Sequence, residues 1–238
     1  MNPMKESIRF YARNIESLLL LSAVILLPLL LVHNFTINYV NFLAALTGAP
    51  VVSSFYNLFL LLLFLTIVQI AFAQFVISDL EDEERPLRQA FRTFFETGFP
   101  VFLFGIVYVL AVCFGLILFV VPGVILLILF YLTPFLVVLK RKSPWQCMRS
   151  AFELGKRHFV QLLGLILLAS GIQWLISLVG IVSVTYITTS FGAVFFTQLL
   201  LTVLIFPFLA VLFTMYTYKW SEESVRAESA ESAAALEG

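Results

Sequence analysis

Charge is what this sequence lacks most. Only 12% of its 238 residues are Asp, Glu, Lys or Arg, against 61% hydrophobic, and none of the charged ones falls within six long apolar runs, residues 17–32, 51–77, 99–121, 124–139, 159–184 and 191–218. That absence excludes a soluble domain, whose helices mix polar and apolar residues; the runs approach the roughly 20 residues a helix needs to cross a hydrocarbon core. With a mean hydropathy of +1.04, the bilayer is the solvent. Proton coupling or charge sensing at the membrane midplane has no carrier in these runs. Cysteine is scarce as well: Cys113 lies in an apolar run and Cys147 in a polar one, too few for a disulfide framework. There is no Cys-x-x-Cys, no His-Glu-x-x-His and no glycine-rich phosphate loop, and His33 and His158 stand at opposite ends of spans. No metal site, cofactor or nucleic-acid partner is expected.

The charges that are present fall in alternate polar segments. All 14 Lys and Arg stand at 5, 9 and 13; at 85, 88 and 92; at 140, 141, 142, 149, 156 and 157; and at 219 and 226. The connections at 32–50, 122–123 and 185–190 carry none, and the 14 acidic residues keep to the same side as the basic ones. The positive-inside rule makes that side cytoplasmic, so the chain is expected to be a multi-pass protein of a bacterial cytoplasmic membrane with both termini inside. Only the first outer loop, 33–54, has room for much structure. A single helix over 99–139 would be roughly twice the membrane thickness. Pro122-Gly123 is therefore expected to form a tight hairpin, proline withholding a donor and glycine tolerating positive φ. Lys5, Arg9 and Arg13 before an apolar stretch also resemble a signal peptide, but no small-x-small cleavage site follows Val32 at the expected distance. The segment 224–238, rich in Ala, Ser and Glu, is expected to be a disordered tail, with residues 233–237 reading as a cloning remnant, and 1–223 to be a single six-helix domain.

An internal repeat organises the cytoplasmic segments. Arg92-Thr93-Phe94-Phe95-Glu96-Thr97-Gly98 matches Arg149-Ser150-Ala151-Phe152-Glu153-Leu154-Gly155 in the order Arg, hydroxyl, Phe, Glu, Gly. Pro134-Phe135-Leu136-Val137-Val138-Leu139 likewise matches Pro207-Phe208-Leu209-Ala210-Val211-Leu212. The expected architecture is all-α: six transmembrane helices as three hairpins, each preceded by a cytoplasmic amphipathic helix, used as parallel pseudo-repeats about the membrane normal. Leu87, Ala90, Phe91, Phe94 and Phe95 keep helical spacing opposite Arg88, Gln89, Arg92 and Glu96. Trp145, Met148 and Phe152 do so opposite Arg149, Lys156 and Arg157. The N-terminal copy keeps only Ile8, Tyr11, Ala12 and Ile15.

Two sets of candidate site residues follow. Arg88, Arg92, Arg149, Lys156 and Arg157 are placed to meet anionic lipid headgroups; the blander reading makes their helices elbows that redirect the chain. The glutamines within spans, Gln69, Gln74, Gln161, Gln173 and Gln198, are candidates for a polar path, although such amides more often hold helices together. Ser170, Ser177 and Ser183 lack a base and read as packing residues. The acidic run Asp79-Leu80-Glu81-Asp82-Glu83-Glu84 lacks the spacing of a calcium loop, but it is placed to meet Lys140-Arg141-Lys142 of the neighbouring unit.

Val120-Val121-Pro122-Gly123-Val124 through Thr133-Pro134-Phe135, then Arg149-Ser150 and Glu153-Leu154-Gly155, resemble a known pattern. It is similar to the membrane domain attached to some glycerophosphoryl diester phosphodiesterases and to related YciC-like bacterial inner-membrane proteins, over residues 84–218. The resemblance implies a fold and a membrane setting. Catalysis in those phosphodiesterases belongs to a separate soluble barrel that nothing here matches, so no catalytic residue carries over. The sequence thus points to a non-enzymatic integral membrane protein that binds membrane lipids, anionic ones included, or a partner membrane protein or second copy, in envelope lipid handling or transport. A small permease for a lipid-like or uncharged solute is the alternative.

Overall fold

The computed structural model describes residues 3–237, the side chains of 228 and 230–237 excepted. Its elements are α1 (Pro3–Arg13), α2 (Ile15–Leu21), a π-helical turn (Ser22–Leu26), α3 (Leu27–Thr47), α4 (Pro50–Leu80), α5 (Pro86–Leu118), α6 (Val120–Tyr131), α7 (Thr133–Lys140), α8 (Pro144–Arg157), α9 (Phe159–Ile187) and α10 (Phe191–Glu237). Six stretches are long and apolar enough to cross a membrane: Ile15–Thr47, Pro50–Leu80, Pro86–Leu118, Val120–Lys140, Phe159–Ile187 and Phe191–Ala227. The all-helical, six-span reading of the sequence therefore holds.

Local chemistry sets where the helices bend and end. In the first span the Leu27 N–H reaches back to the Ser22 carbonyl, a widened turn just before Pro28, whose missing donor would break a regular ladder. The span ends at Gly48, in the left-handed conformation at φ 69°, which glycine adopts without a Cβ clash. Pro50 then opens α4. The expected outer loop 33–54 is thus helix on both sides of Gly48 and Ala49. Asn34 donates to the Leu30 carbonyl at 2.8 Å and Thr36 to that of Val32 at 2.7 Å, each on its own turn, while Asn41 accepts from Ser53 of α4. At 33 residues, this first span is about 50 Å long and exceeds a hydrocarbon core of about 30 Å.

The reversal between the third and fourth spans falls at Phe119, which is extended at φ −152° and ψ 126°. Pro122 and Gly123 sit instead in the first turn of α6, where a missing N–H costs nothing, and Gly48 is the positive-φ glycine among the described residues. The glycine serves close packing: a Cβ on Gly123 would stand 2.5 Å from the Leu116 backbone nitrogen. The amphipathic segment at 86–98 is also not a separate helix, because α5 runs through it and through Pro100 without a break. By contrast, irregular backbone at Asn14 separates α1 from α2, and at His158 separates α8 from α9. The segment 224–237, expected to be disordered, continues α10 as helix; its alanines and glutamates are strong helix formers.

The core is concentrated toward the charged end. Every residue of α4 from 66 to 78 is buried, as are 133–138 of α7 and 209–215 of α10. Toward the uncharged end α4 becomes partly exposed, with Val51, Val52 and Leu61 open, and α9 packs mainly on α10. The bundle converges where the charges are and opens away from them.

Candidate functional site

Where the helices diverge they leave a cavity of about 330 Å³, bounded by α3, α4, α5, α6, α9 and α10. Its wall is mainly apolar, with leucines from α3, α4 and α6 prominent in it; no Asp, Glu, Lys or Arg lines it, and its polar groups include His33, Gln69, Tyr108, Tyr131, Gln173 and Thr202. At about 1.5 Å per residue, Gln69 lies roughly 16 Å from Leu80 at the charged end of α4, and His33 roughly 27 Å from Ile15. The cavity therefore runs from mid-span toward the uncharged end.

At its floor Gln69 Nε2 donates to the Tyr131 hydroxyl at 3.1 Å, joining α4 to α6, while the Tyr108 hydroxyl donates to the Leu127 carbonyl at 2.9 Å, joining α5 to α6. Thr202 bonds its own helix at the Gln198 carbonyl. His33 packs edge-on against Phe64 at 6.0 Å, and its buried Nδ1 has no partner among the described residues. A second pocket of about 230 Å³, with Asn34, Ser177 and Gln198 in its wall, shares Leu30 and Thr202 with the first and so adjoins it.

The five glutamines do not form one line. Gln69 and Gln173 meet in the cavity and Gln198 in the adjoining pocket. Gln161 contacts His158 Nδ1 at 3.1 Å at the start of α9. Gln74 belongs to a separate polar network at the charged end. Its Nε2 donates to Ser78 Oγ at 2.8 Å, its Oε1 accepts from Thr93 at 3.2 Å, and Ser78 donates to Glu83 at 2.8 Å. Arg141 completes the network by pairing with Glu83, and lies 3.7 Å from Glu81. The Ser78 hydrogen bond, joined by the Arg141 guanidinium, outweighs partial burial and holds the Glu83 carboxyl below its usual range. Arg13 pairs with Asp79. The acidic run and the basic turn at 140–142 therefore meet across the bundle, as their placement in the sequence suggested.

Arg88, Arg92, Arg149, Lys156 and Arg157 are all exposed on α5 and α8, and none lines either cavity. Arg92 Nε pairs with Glu96 at 2.7 Å and Arg149 Nε with Glu153 at 3.1 Å, both four residues on along the same helix. Beside them Trp145 packs edge-on against Phe104 at 5.5 Å, and Phe152 lies 6.2 Å from Phe130. Trp145 and Phe152 thus touch the bundle with one side while staying exposed on the other, and Phe95 of α5 is exposed as well.

His33, Tyr108 and Tyr131 were not singled out as site residues in the sequence. The readable clue was the two tyrosines within apolar spans, since a hydroxyl there needs a partner. No family model matches the chain, and neither does any curated protein or solved structure.

Proposed function

We propose that this is a non-enzymatic membrane protein that binds a lipid or lipid-like amphiphile in the cavity between its diverging helices. One observation carries the reading: a charge-free, leucine-lined void of about 330 Å³, within the size range of about 300–1,000 Å³ typical of ligand pockets. Such a wall favours an apolar chain over a hydrated solute. By the positive-inside rule the charged end faces the cytoplasm, so the cavity opens in the outer half of the bilayer; a topology reporter fused near Thr47 should register outside, and a cytoplasmic signal would reverse this. The repeated Arg-x-x-x-Glu segments support an arrangement of parallel hairpin units, of the kind the resemblance to the phosphodiesterase membrane domain implies.

The permease alternative draws on Gln69, Gln173 and Gln198 lining the two pockets. Against it stands the closed packing toward the charged end, where residues 66–78 and 133–138 are buried without interruption. Native mass spectrometry of gently extracted protein separates the readings. Wild type should retain a bound lipid, and Ser170→Trp, which fills the void from α9, should lose it without a lower unfolding temperature. Equal lipid retention by both would refute cavity binding.

A further inference from the structure

The floor of the cavity offers more hydrogen-bond donors than the protein uses. Gln69 is 97% buried and gives one amide N–H to the Tyr131 hydroxyl at 3.1 Å. The second N–H of that amide and the O–H of Tyr131 have no acceptor among the described residues. If the amide is turned over, Tyr131 donates to its oxygen and both amide N–H groups are left; two donors remain in either orientation. Tyr108 and Thr202 donate to backbone carbonyls, and among the described residues neither hydroxyl oxygen accepts from Gln69 or Tyr131. A buried donor without an acceptor is destabilising, and the uninterrupted burial of 66–78 and 133–138 closes the charged half of the bundle beside the floor.

A hydrocarbon chain filling the cavity would leave both donors unmet. A phosphate or carboxylate would meet them but would bring a charge to a wall that has no Lys or Arg to balance it. An uncharged carbonyl oxygen, with two lone pairs, accepts from both donors without that penalty. We infer that the cavity selects an uncharged carbonyl-bearing amphiphile, a long-chain ketone or ester, whose oxygen is held by Gln69 and Tyr131 while its chain lies along the leucines of α3 and α4. This rests on the reading that the cavity binds a membrane amphiphile.

The test measures displacement of a pyrene-labelled alkane from detergent-purified protein by two competitors: a long-chain methyl ketone and the alkane of the same length. Wild type should prefer the ketone by about tenfold, as two modest hydrogen bonds would give, and Gln69→Leu with Tyr131→Phe should reduce the preference to about one. Tyr131→Phe alone, a milder change, should lose part of it. Equal displacement by ketone and alkane in wild type overturns this inference while leaving cavity binding intact, and it needs no variant to fold. A ketone preference that survives in the double variant also overturns it. Failure of the labelled alkane to bind wild type would overturn both the inference and the reading beneath it.

Discussion

Gln69 and Gln74 stand on one helix, 3% and 5% exposed, and have opposite surroundings. Gln74 is bonded at both ends of its amide, to Ser78 and Thr93, in a network that closes on Glu83 and Arg141. Gln69 has one protein partner and faces a void. In an apolar solvent a polar side chain either binds helices together or waits for a partner that the protein does not supply. The first role is structural and the second points to a ligand.

The largest expected effect comes from breaking the structural side of this pair. Gln74→Leu removes the acceptor of the half-buried Thr93 and one of the partners of Ser78 and should destabilise the bundle by roughly 1–3 kcal/mol, the cost of unsatisfied buried groups. Gln69→Leu should cost less, since it removes one neutral bond beside space that can relax. Thermal unfolding of the two variants in neutral detergent makes the comparison, and equal losses would erase the distinction between the two glutamines.

A smaller effect concerns Glu83. Its carboxyl is held below the usual range by Ser78 and Arg141, so its folded pKa lies beneath the unfolded value of about 4.3. Such a group contributes stability that is present above the unfolded pKa and is lost as pH falls through the folded one. Glu83→Gln should therefore be less stable than wild type at neutral pH, with the gap narrowing as the pH drops below about 4. A gap that widens in acid would contradict the assigned network. Occupants of the cavity should be indifferent to the same change.

The smallest effect is expected at the exposed arginines. Arg92 and Arg149 each pair with a glutamate four residues on, exposed contacts that solvent and salt screen. Removing both charges, Arg92→Gln with Arg149→Gln, should leave thermal stability almost unchanged. If these residues also hold anionic headgroups, the double variant should retain less anionic lipid, and undiminished retention would remove that role.

What could be read from the sequence was what the solvent imposes. The six spans follow from where charge is forbidden, and the meeting of Arg141 with Glu81 and Glu83 follows from charge having only one end of the bundle to occupy. Features set by packing between helices were hidden. Pro122-Gly123 reads locally as a turn, yet the glycine is needed because α5 and α6 approach closely there. Residues 33–47 read as a polar loop, yet they are helical, and Asn34, Thr36 and Thr47 bond back to the helix that carries them. Five glutamines within spans looked alike in the sequence. Only the divergence of the helices sorts Gln69 and Gln173, which face a void, from Gln74, which is enclosed.

The central claim is that the void is an amphiphile site rather than a packing defect between helices, and photolabelling tests it most directly. A membrane-soluble long-chain probe carrying a diazirine near the end of its chain is photolysed with the protein in bilayers, and its adducts are mapped by peptide mass spectrometry. The account predicts saturable adducts on cavity-lining Leu65, Ile166 and Gln173, lost when Ser170→Trp fills the space. Adducts confined to the exposed Leu168, Leu175 and Val179 on α9, with the cavity wall unlabelled, would contradict it.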